Sequence, residues 1–385
     1  LHYHLEKRSK RSWTIVIDMG RDPVTGKRKR KYIAVEGTKA KAEAEAQRII
    51  GEMTVGVYVE PARITLGQWL VEFLEEKKAD IAPRTYESYE MIIRRHLIPA
   101  LGNIPLQELT PAHIAMYKTA KLKEVSPSTK KPLSPRTVAY HLTVLSEALK
   151  TAKKRKLIRE NPAEDVDKPK YDPVKYYVYT EEEIEALLET TRKYRPSLYP
   201  IIFLALRTGL RLGEVLALRW RNVDLEKGVI YVQEKVERLK NQGIVFSRPK
   251  AHSVGAIPIS QATVELLRSL QNGKKPDDLV FATSRGTPYD IKNVSAYFAD
   301  IRRKAGLKEG RFHDLRHTHA TYLLDEGVSL PTVQQRLRHK HLSTTADIYS
   351  HALAERQQPA VEKLEERFGR QLGDNSGGKS DGGNN

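Results

Sequence analysis

Residues 208–220 read TGLRLGEVLALRW. Gly209 is expected to break one helix and let another begin, which places Arg211 near the new N-terminus with Glu214 three residues on. At that spacing a carboxylate can hold a guanidinium in a fixed pose, so Glu214 reads as a support rather than as an acid or base. Further along, residues 312–317 read FHDLRH, and His313 and Arg316, three apart, share one helical face. The stretch LRHKHLSTTADIYSH (337–351) then adds His339 and Tyr349. Two arginines and two histidines converging beside one tyrosine suit a phosphodiester, because arginine grips phosphate bidentately and stays charged at any working pH. The rival reading of His313, His317 and His319 as a metal cluster lacks a completing carboxylate or cysteine. Packing or phosphate-facing roles fit better, and no metal is expected.

Outward from this core, the last domain (176–370) opens with helices. It passes through β-like segments, VIYVQ (229–233), GAIPIS (255–260) and DLVFAT (278–283), and returns to helices. It carries no G-x-x-x-x-G-K-[ST], H-E-x-x-H or G-x-S-x-G pattern, which removes phosphate-loop NTPase, zincin and serine hydrolase readings. A charged, proline-bearing linker, NPAEDVDKPKYDPVK (161–175), precedes it. Residues 64–165 read as an all-helical bundle. Leu66, Trp69, Leu70, Phe73 and Leu74 form a buried stripe, and Thr110-Pro111 and Ser134-Pro135 place a cap before a proline at the first helical position. The amphipathic stretch 134–158 ends in a basic cluster that includes Lys153, Lys154 and Arg155.

Residues 11–35 predict two strands, in RSWTIVIDMG (11–20) and KRKRKYIAV (27–35), around a DPVTGK turn; a helix from Lys39 to Val55, closed by Gly56, follows. Lys27, Arg28, Lys29, Arg30 and Lys31 sit at or just past the turn. Strand alternation turns part of the run toward DNA and leaves part solvated, the rival being a wholly solvated hairpin tip. GVYVEPAR (56–63) reads as a linker and 371–385 as a disordered tail. The expected fold class is multidomain α+β: a small β-hairpin or sheet-plus-helix module (1–60), an all-α bundle (64–165) and a mainly α domain with a small antiparallel sheet (176–370).

Sixty-six Lys and Arg against 48 Asp and Glu give a net charge of +18. Such an excess draws a polyanion, and DNA is the first candidate. Cysteine is absent, which excludes disulfides, thiolate catalysis and cysteine-ligated zinc and fits a reducing cytoplasm. No run of about 18 apolar residues predicts a membrane span, and LHYHLEKRSK lacks the apolar segment of a secretory signal.

The motifs together resemble the tyrosine recombinase, or phage integrase, family. The resemblance spans nearly the whole chain and is strongest over 206–220 and 312–351. The family's first arginine motif matches TGLR-x-x-E at Arg211, its H-x-x-R motif matches HDLR at His313 and Arg316, its second histidine falls at His339 and its nucleophile at Tyr349. Its catalytic lysine, in a hairpin before an apolar-Pro strand, falls at Lys250 in FSRPKAHSVGAIPIS (246–260). Two positions depart from the pattern: Gly255 stands where the family often has a basic residue, and Arg338 where it commonly has glycine.

The first 60 residues resemble an arm-site-binding module and 64–165 a core-binding domain. The resemblance implies attack by Tyr349 on a DNA phosphorus to give a 3′-phosphotyrosine. Arg211 and Arg316 would hold the phosphate oxygens, with His313 as base, Lys250 as acid and His339 as hydrogen-bond donor. It implies no cofactor. It also implies double-stranded DNA as partner at core and arm sites, a homotetramer on synapsed DNA, an excisionase and a host DNA-bending protein, and a place in the bacterial cytoplasm at the nucleoid. The alternatives are a cellular chromosome-dimer resolvase of the same family and a non-enzymatic DNA-binding regulator on the same fold.

Overall fold

A computed structural model describes residues 1–338 except 23, 57, 61–63, 128–129, 174–175 and 250–253, together with residues 361, 362, 364, 365 and 368. Lys250, His339, Tyr349 and the 371–385 tail lie outside the described residues. Contacts divide the chain into two units, residues 1–173 and 174–385.

The first unit begins with three antiparallel strands, β1 (His2–Ser9), β2 (Ser12–Arg21) and β3 (Arg28–Glu36), in the order β1-β2-β3, followed by helix α1 (Lys39–Val55). Ile15 pairs with Ile33 and Trp13 with Val35, so their side chains share one face. That face packs on Ala46 and Ile49 of α1. The Thr38 side chain accepts from the Lys41 amide at the start of α1, and Gly56, with φ +80°, closes its end as expected. The expected hairpin is therefore a three-stranded sheet. The added strand, HYHLEKRS, is an edge strand whose polar residues conceal its alternation, with Leu5 opposite Ile15.

The rest of this unit is helical: α2 (Leu66–Asp80), α3 (Pro83–Ile92), a π-helical turn (Ile93–Leu97), α4 (Ile98–Leu101), α5 (Pro111–Lys123) and α6 (Pro135–Lys154). The stripe from Leu66 to Leu74 is fully buried, and the Trp69 indole donates to the Ala148 carbonyl at 3.0 Å. Leu142, Val144, Leu145 and Leu149 bring α6 onto the same core, each burial stabilising by about 1.5–3 kcal/mol. Within the bundle His141 stacks on His96, ring centroids 4.4 Å apart, and its Nδ1 lies 3.0 Å from the Tyr117 hydroxyl.

The predicted linker begins too early. Asn161 is buried and donates to the Ser146 carbonyl, and Val166 joins the bundle core, so this stretch is held by the helices before the chain leaves them.

The second unit holds α7 (Glu181–Tyr194), α8 (Tyr199–Thr208) and α9 (Leu212–Leu216). Strands β4 (Val223–Asp224), β5 (Val229–Val232), β6 (Lys235–Leu239), β7 (Gly243–Ser247) and β8 (Gly255–Pro258) follow. Next come α10 (Gln261–Leu270), α11 (Ile291–Lys304), α12 (Asp314–Asp325) and α13 (Leu330–Leu337). Ile201, Leu204 and Ala205 of α8 sit at the centre of its core with Leu216, Phe298 and Leu315. β4, β5 and β8 form one antiparallel sheet, and β6 and β7 a separate hairpin that the sequence reading did not find. The expected strand at 278–283 is corrected: Leu279 and Ala282 make only isolated bridges, to Arg219 and Pro288. Apolar character there serves burial, since Val280 and Phe281 enter the core. Among the described residues no helix is long and apolar enough to cross a membrane.

Candidate active site

The site is built on the turn between α8 and α9. Gly209 closes α8 with φ +66°, and a Cβ added there would meet Cδ2 of His319 at 2.8 Å and Cδ2 of Leu337 at 2.9 Å. Only glycine satisfies both the backbone angle and the space. The turn delivers Arg211 to the cap position of α9. Its backbone N–H donates to Glu214 Oε2 at 3.0 Å and its Nη1 to Glu214 Oε1 at 2.9 Å. Glu214 is buried, whereas the Arg211 side chain keeps 36% of its surface exposed. A guanidinium held by a buried carboxylate and still open to solvent is placed to meet an anion.

His313 and Arg316 stand at the start of α12. The Arg311 guanidinium holds the Asp314 carboxylate through two contacts, at 3.2 and 3.0 Å, and the Arg311 N–H adds a third at 2.7 Å, fixing this first turn. Arg316 is buried and donates through Nη1 to the Gly209 carbonyl at 2.5 Å and through Nη2 to the Leu337 carbonyl. These bonds bring the start of α12 to the α8–α9 turn and to the end of α13. The protein packed around the His313 ring, then the Arg316 and Arg211 charges, push it down to about 4, so it is neutral at pH 7. The residue as a whole is nonetheless exposed.

His319 is held low, at about 3, by burial and then by Arg336, whose Nε donates to its Nε2 at 2.9 Å. His317 lies against Tyr176, ring centroids 3.8 Å apart. Both histidines act in packing. Arg338, buried at the end of α13 with φ +55°, donates through Nη2 to Glu214 Oε2 at 2.5 Å. Arg311, Arg336 and Arg338 thus surround the site without having been singled out as its members. Arg311 follows the same i,i+3 spacing to a carboxylate that exposed Arg211; the other two pair across long chain separations that local spacing does not reveal.

Of the expected residues, Arg211, Glu214, His313 and Arg316 come together, while Lys250, His339 and Tyr349 lie outside the described residues. Elsewhere, Lys27, Lys29 and Arg30 are exposed, and Arg28 pairs with Asp18 at 2.9 Å. Lys31, expected among the DNA-facing or solvated residues of this run, instead binds Glu60 and covers the Tyr58 ring at 4.5 Å. Lys153 and Lys154 are exposed, whereas Arg155 is engaged by Glu72 at 3.3 Å and Glu76 at 2.5 Å and lies over Trp69.

Residues 178–356 match the phage integrase family, and residues 65–129 match the phage integrase N-terminal SAM-like domain. A tyrosine recombinase XerC-like protein of Caldanaerobacter subterraneus subsp. tengcongensis is 27% identical over 94% of this chain and 98% of its own. Tyrosine recombinase XerC of Bacillus subtilis is 30% identical over 57% of this chain and 73% of its own. Among solved structures, a Tn1549 transposon integrase in complex with a circular intermediate DNA aligns with a TM-score of 0.66. It is 22% identical and covers 78% of this chain and 99% of that one. A lambda integrase tetramer bound to a Holliday junction aligns with a TM-score of 0.56, at 22% identity over 88% and 95% of the two chains. The two structures establish likeness of fold.

Proposed function

The chain belongs to the phage integrase family of tyrosine recombinases, and from that premise we propose that it is a site-specific integrase cutting and rejoining DNA through Tyr349. The observation that carries this is the Arg316 bond to the Gly209 carbonyl, which sets a second arginine and a neutral histidine beside the Arg211–Glu214 pair.

The Tyr349 hydroxyl oxygen attacks the scissile phosphorus, and a phosphorus–tyrosine bond forms as the bond to the 5′-oxygen breaks. His313 takes the phenolic proton; removing that proton from a free phenol at pH 7 costs about 4 kcal/mol. Arg211 and Arg316 hold the non-bridging oxygens and stabilise the charge that grows on them. Lys250 gives a proton to the departing 5′-oxygen, and His339 donates a hydrogen bond to the phosphate. The phosphodiester energy stays in the 3′-phosphotyrosine, so a 5′-hydroxyl from a second duplex reverses the step on a new partner without ATP.

Residues 1–60 serve as the arm-site module, 64–165 as the core-binding domain and 176–370 as the catalytic domain. Two relatives of the same fold are solved on DNA, one as a tetramer on a Holliday junction, which supports four protomers acting on two duplexes here. An excisionase and a host DNA-bending protein complete the assembly, in the cytoplasm of a bacterial host at the nucleoid. The match to proteins named XerC favours a second reading, a cellular chromosome-dimer resolvase.

On a nicked suicide duplex the wild-type protein is expected to form a covalent adduct, and Tyr349→Phe to form none while its DNA affinity is nearly unchanged, because binding rests on many phosphate contacts. Adduct formation by the Phe variant at the wild-type level excludes Tyr349 as nucleophile. Cleavage is expected to persist in excess EDTA; loss with EDTA and recovery with Mg²⁺ overturns the metal-free mechanism.

A further inference from the structure

Glu214 is shared between two arginines. Its Oε1 accepts from Arg211 at 2.9 Å, and its Oε2 accepts from Arg338 at 2.5 Å and from the Arg211 backbone N–H at 3.0 Å. The carboxylate is buried, and so is Arg338, whose side chain is only 5% exposed. A buried guanidinium is retained where a carboxylate meets it at close range. Arg338 also has a positive φ of +55°, a backbone angle that residues with a side chain rarely adopt. Its stem runs over β8: a Cβ built at Gly255 would lie 3.3 Å from Arg338 Cδ and 3.8 Å from its Cγ. The space that a side chain on β8 would fill is taken from the opposite direction, by a side chain from the end of α13.

We propose that Arg338 is a positioning residue for cleavage: it locks the second oxygen of Glu214 so that the first holds Arg211 on the scissile phosphate, and it does so in the space left by Gly255. Without Arg338 the Glu214 carboxylate loses its one charged partner on Oε2 among the described residues and is held there by the Arg211 backbone N–H alone, so the pose of Arg211 on which transition-state contact depends is loosened. Gly255 and Arg338 are therefore one unit. A long cation supplied from either position reaches the same carboxylate, and two at once overfill the site.

This proposal rests on the recombinase reading, and wild-type adduct formation is its control: absence of adduct with the wild-type chain removes that reading and this proposal with it. The experiment measures, on the full chain, the single-turnover rate of covalent adduct at saturating suicide duplex, DNA affinity separately, and thermal unfolding of each variant. Arg338→Gly is expected to slow the step about tenfold or more while DNA affinity stays within about threefold, because misplacing a group that acts only in the transition state spares ground-state binding. Arg338→Lys, which keeps the charge but not the fork, is expected to fall between. Gly255→Arg alone is expected to be slow, and Arg338→Gly with Gly255→Arg to recover to within about threefold of wild type, a strong departure from additivity.

A folded Arg338→Gly variant that cleaves at the wild-type rate overturns the proposal. So does a double variant whose defect is the product of the two single ones. If Arg338→Gly does not fold, Arg338→Lys and the double variant decide: a rate for the Lys variant equal to wild type, or a folded double variant as slow as Gly255→Arg alone, is the overturning result.

Discussion

At Gly209 one added methyl group would press on His319 and Leu337 at under 3 Å, on a backbone angle that alanine resists. Gly209→Ala is expected to lower stability by about 1–3 kcal/mol, read from the denaturant midpoint, and to slow cleavage as well, because the Gly209 carbonyl holds Arg316. Arg211→Ala and Arg316→Ala should each reduce the adduct-forming rate by about 100–1,000-fold, the loss usual for one transition-state donor. The two separate on stability. Arg211 is partly exposed and its removal leaves Glu214 still paired with Arg338, whereas removing buried Arg316 strips a donor from two backbone carbonyls. The low value of His313, about 4, comes partly from the two arginine charges beside it. A phosphate placed among those charges cancels their repulsion and raises the histidine toward its ordinary value. The complex then binds more protons than the free protein, so affinity rises as pH falls from about 6.5 toward 4 and binding takes up protons. Calorimetry in two buffers of different ionisation enthalpy measures this; no uptake by the wild type, or equal uptake by His313→Asn, defeats the assignment.

Inside the helical bundle, burial and then the neighbouring His96 and Lys121 push His141 down to about 4, with Glu124 opposing, and burial also lowers His96. In the unfolded chain these rings take up protons below their ordinary value of 6.5, while in the bundle they resist. Stability is therefore full above about pH 6.5 and declines as pH falls toward 4, by about 2–3 kcal/mol for His141 alone. His141→Phe should flatten most of that slope in thermal unfolding at about pH 7 and about pH 5; an unchanged slope places the titration elsewhere. Helices were the most legible elements, because their ends are chemical. Lys39 and Gly56, Thr110 with Pro111, and Ser134 with Pro135 mark limits within a residue of those observed. Strands were less legible. β1 is an edge whose polar residues hide its period, the β6–β7 hairpin turns through Lys240, Asn241 and Gln242 between short strands, and the apolar 279–281 segment is buried without joining a sheet. In the site, Arg211 with Glu214 and His313 with Arg316 were readable since local spacing sets each pair. The Arg338 grip on Glu214 spans 124 residues and leaves no trace in local spacing.

Across the whole molecule, the sheet module and the bundle have separate apolar cores, joined by polar contacts such as Arg159 with Glu52 at 2.6 Å and Gln107 with the Glu60 carbonyl at 2.7 Å. A chain beginning at Ile64 should thus keep a folded bundle. It is expected to cleave a core-site suicide substrate, to lose binding to arm-site DNA and to lose integration, since a two-site grip raises the local concentration of one site near the other. Integration by the shortened chain at the full rate would favour the resolvase reading. The bonds of Arg316 carry one more consequence, in time rather than space. Its guanidinium closes on a carbonyl 107 residues earlier and on another 21 residues later. Links across so long a span form late in folding, after the loops between them have been closed at an entropic cost. While synthesis is still short of Leu337, the Arg316 guanidinium of a ribosome-bound chain has the Gly209 carbonyl but not its second backbone partner. The Arg316 arm of the site is therefore expected to reach its full set of backbone bonds only once α13 has been made.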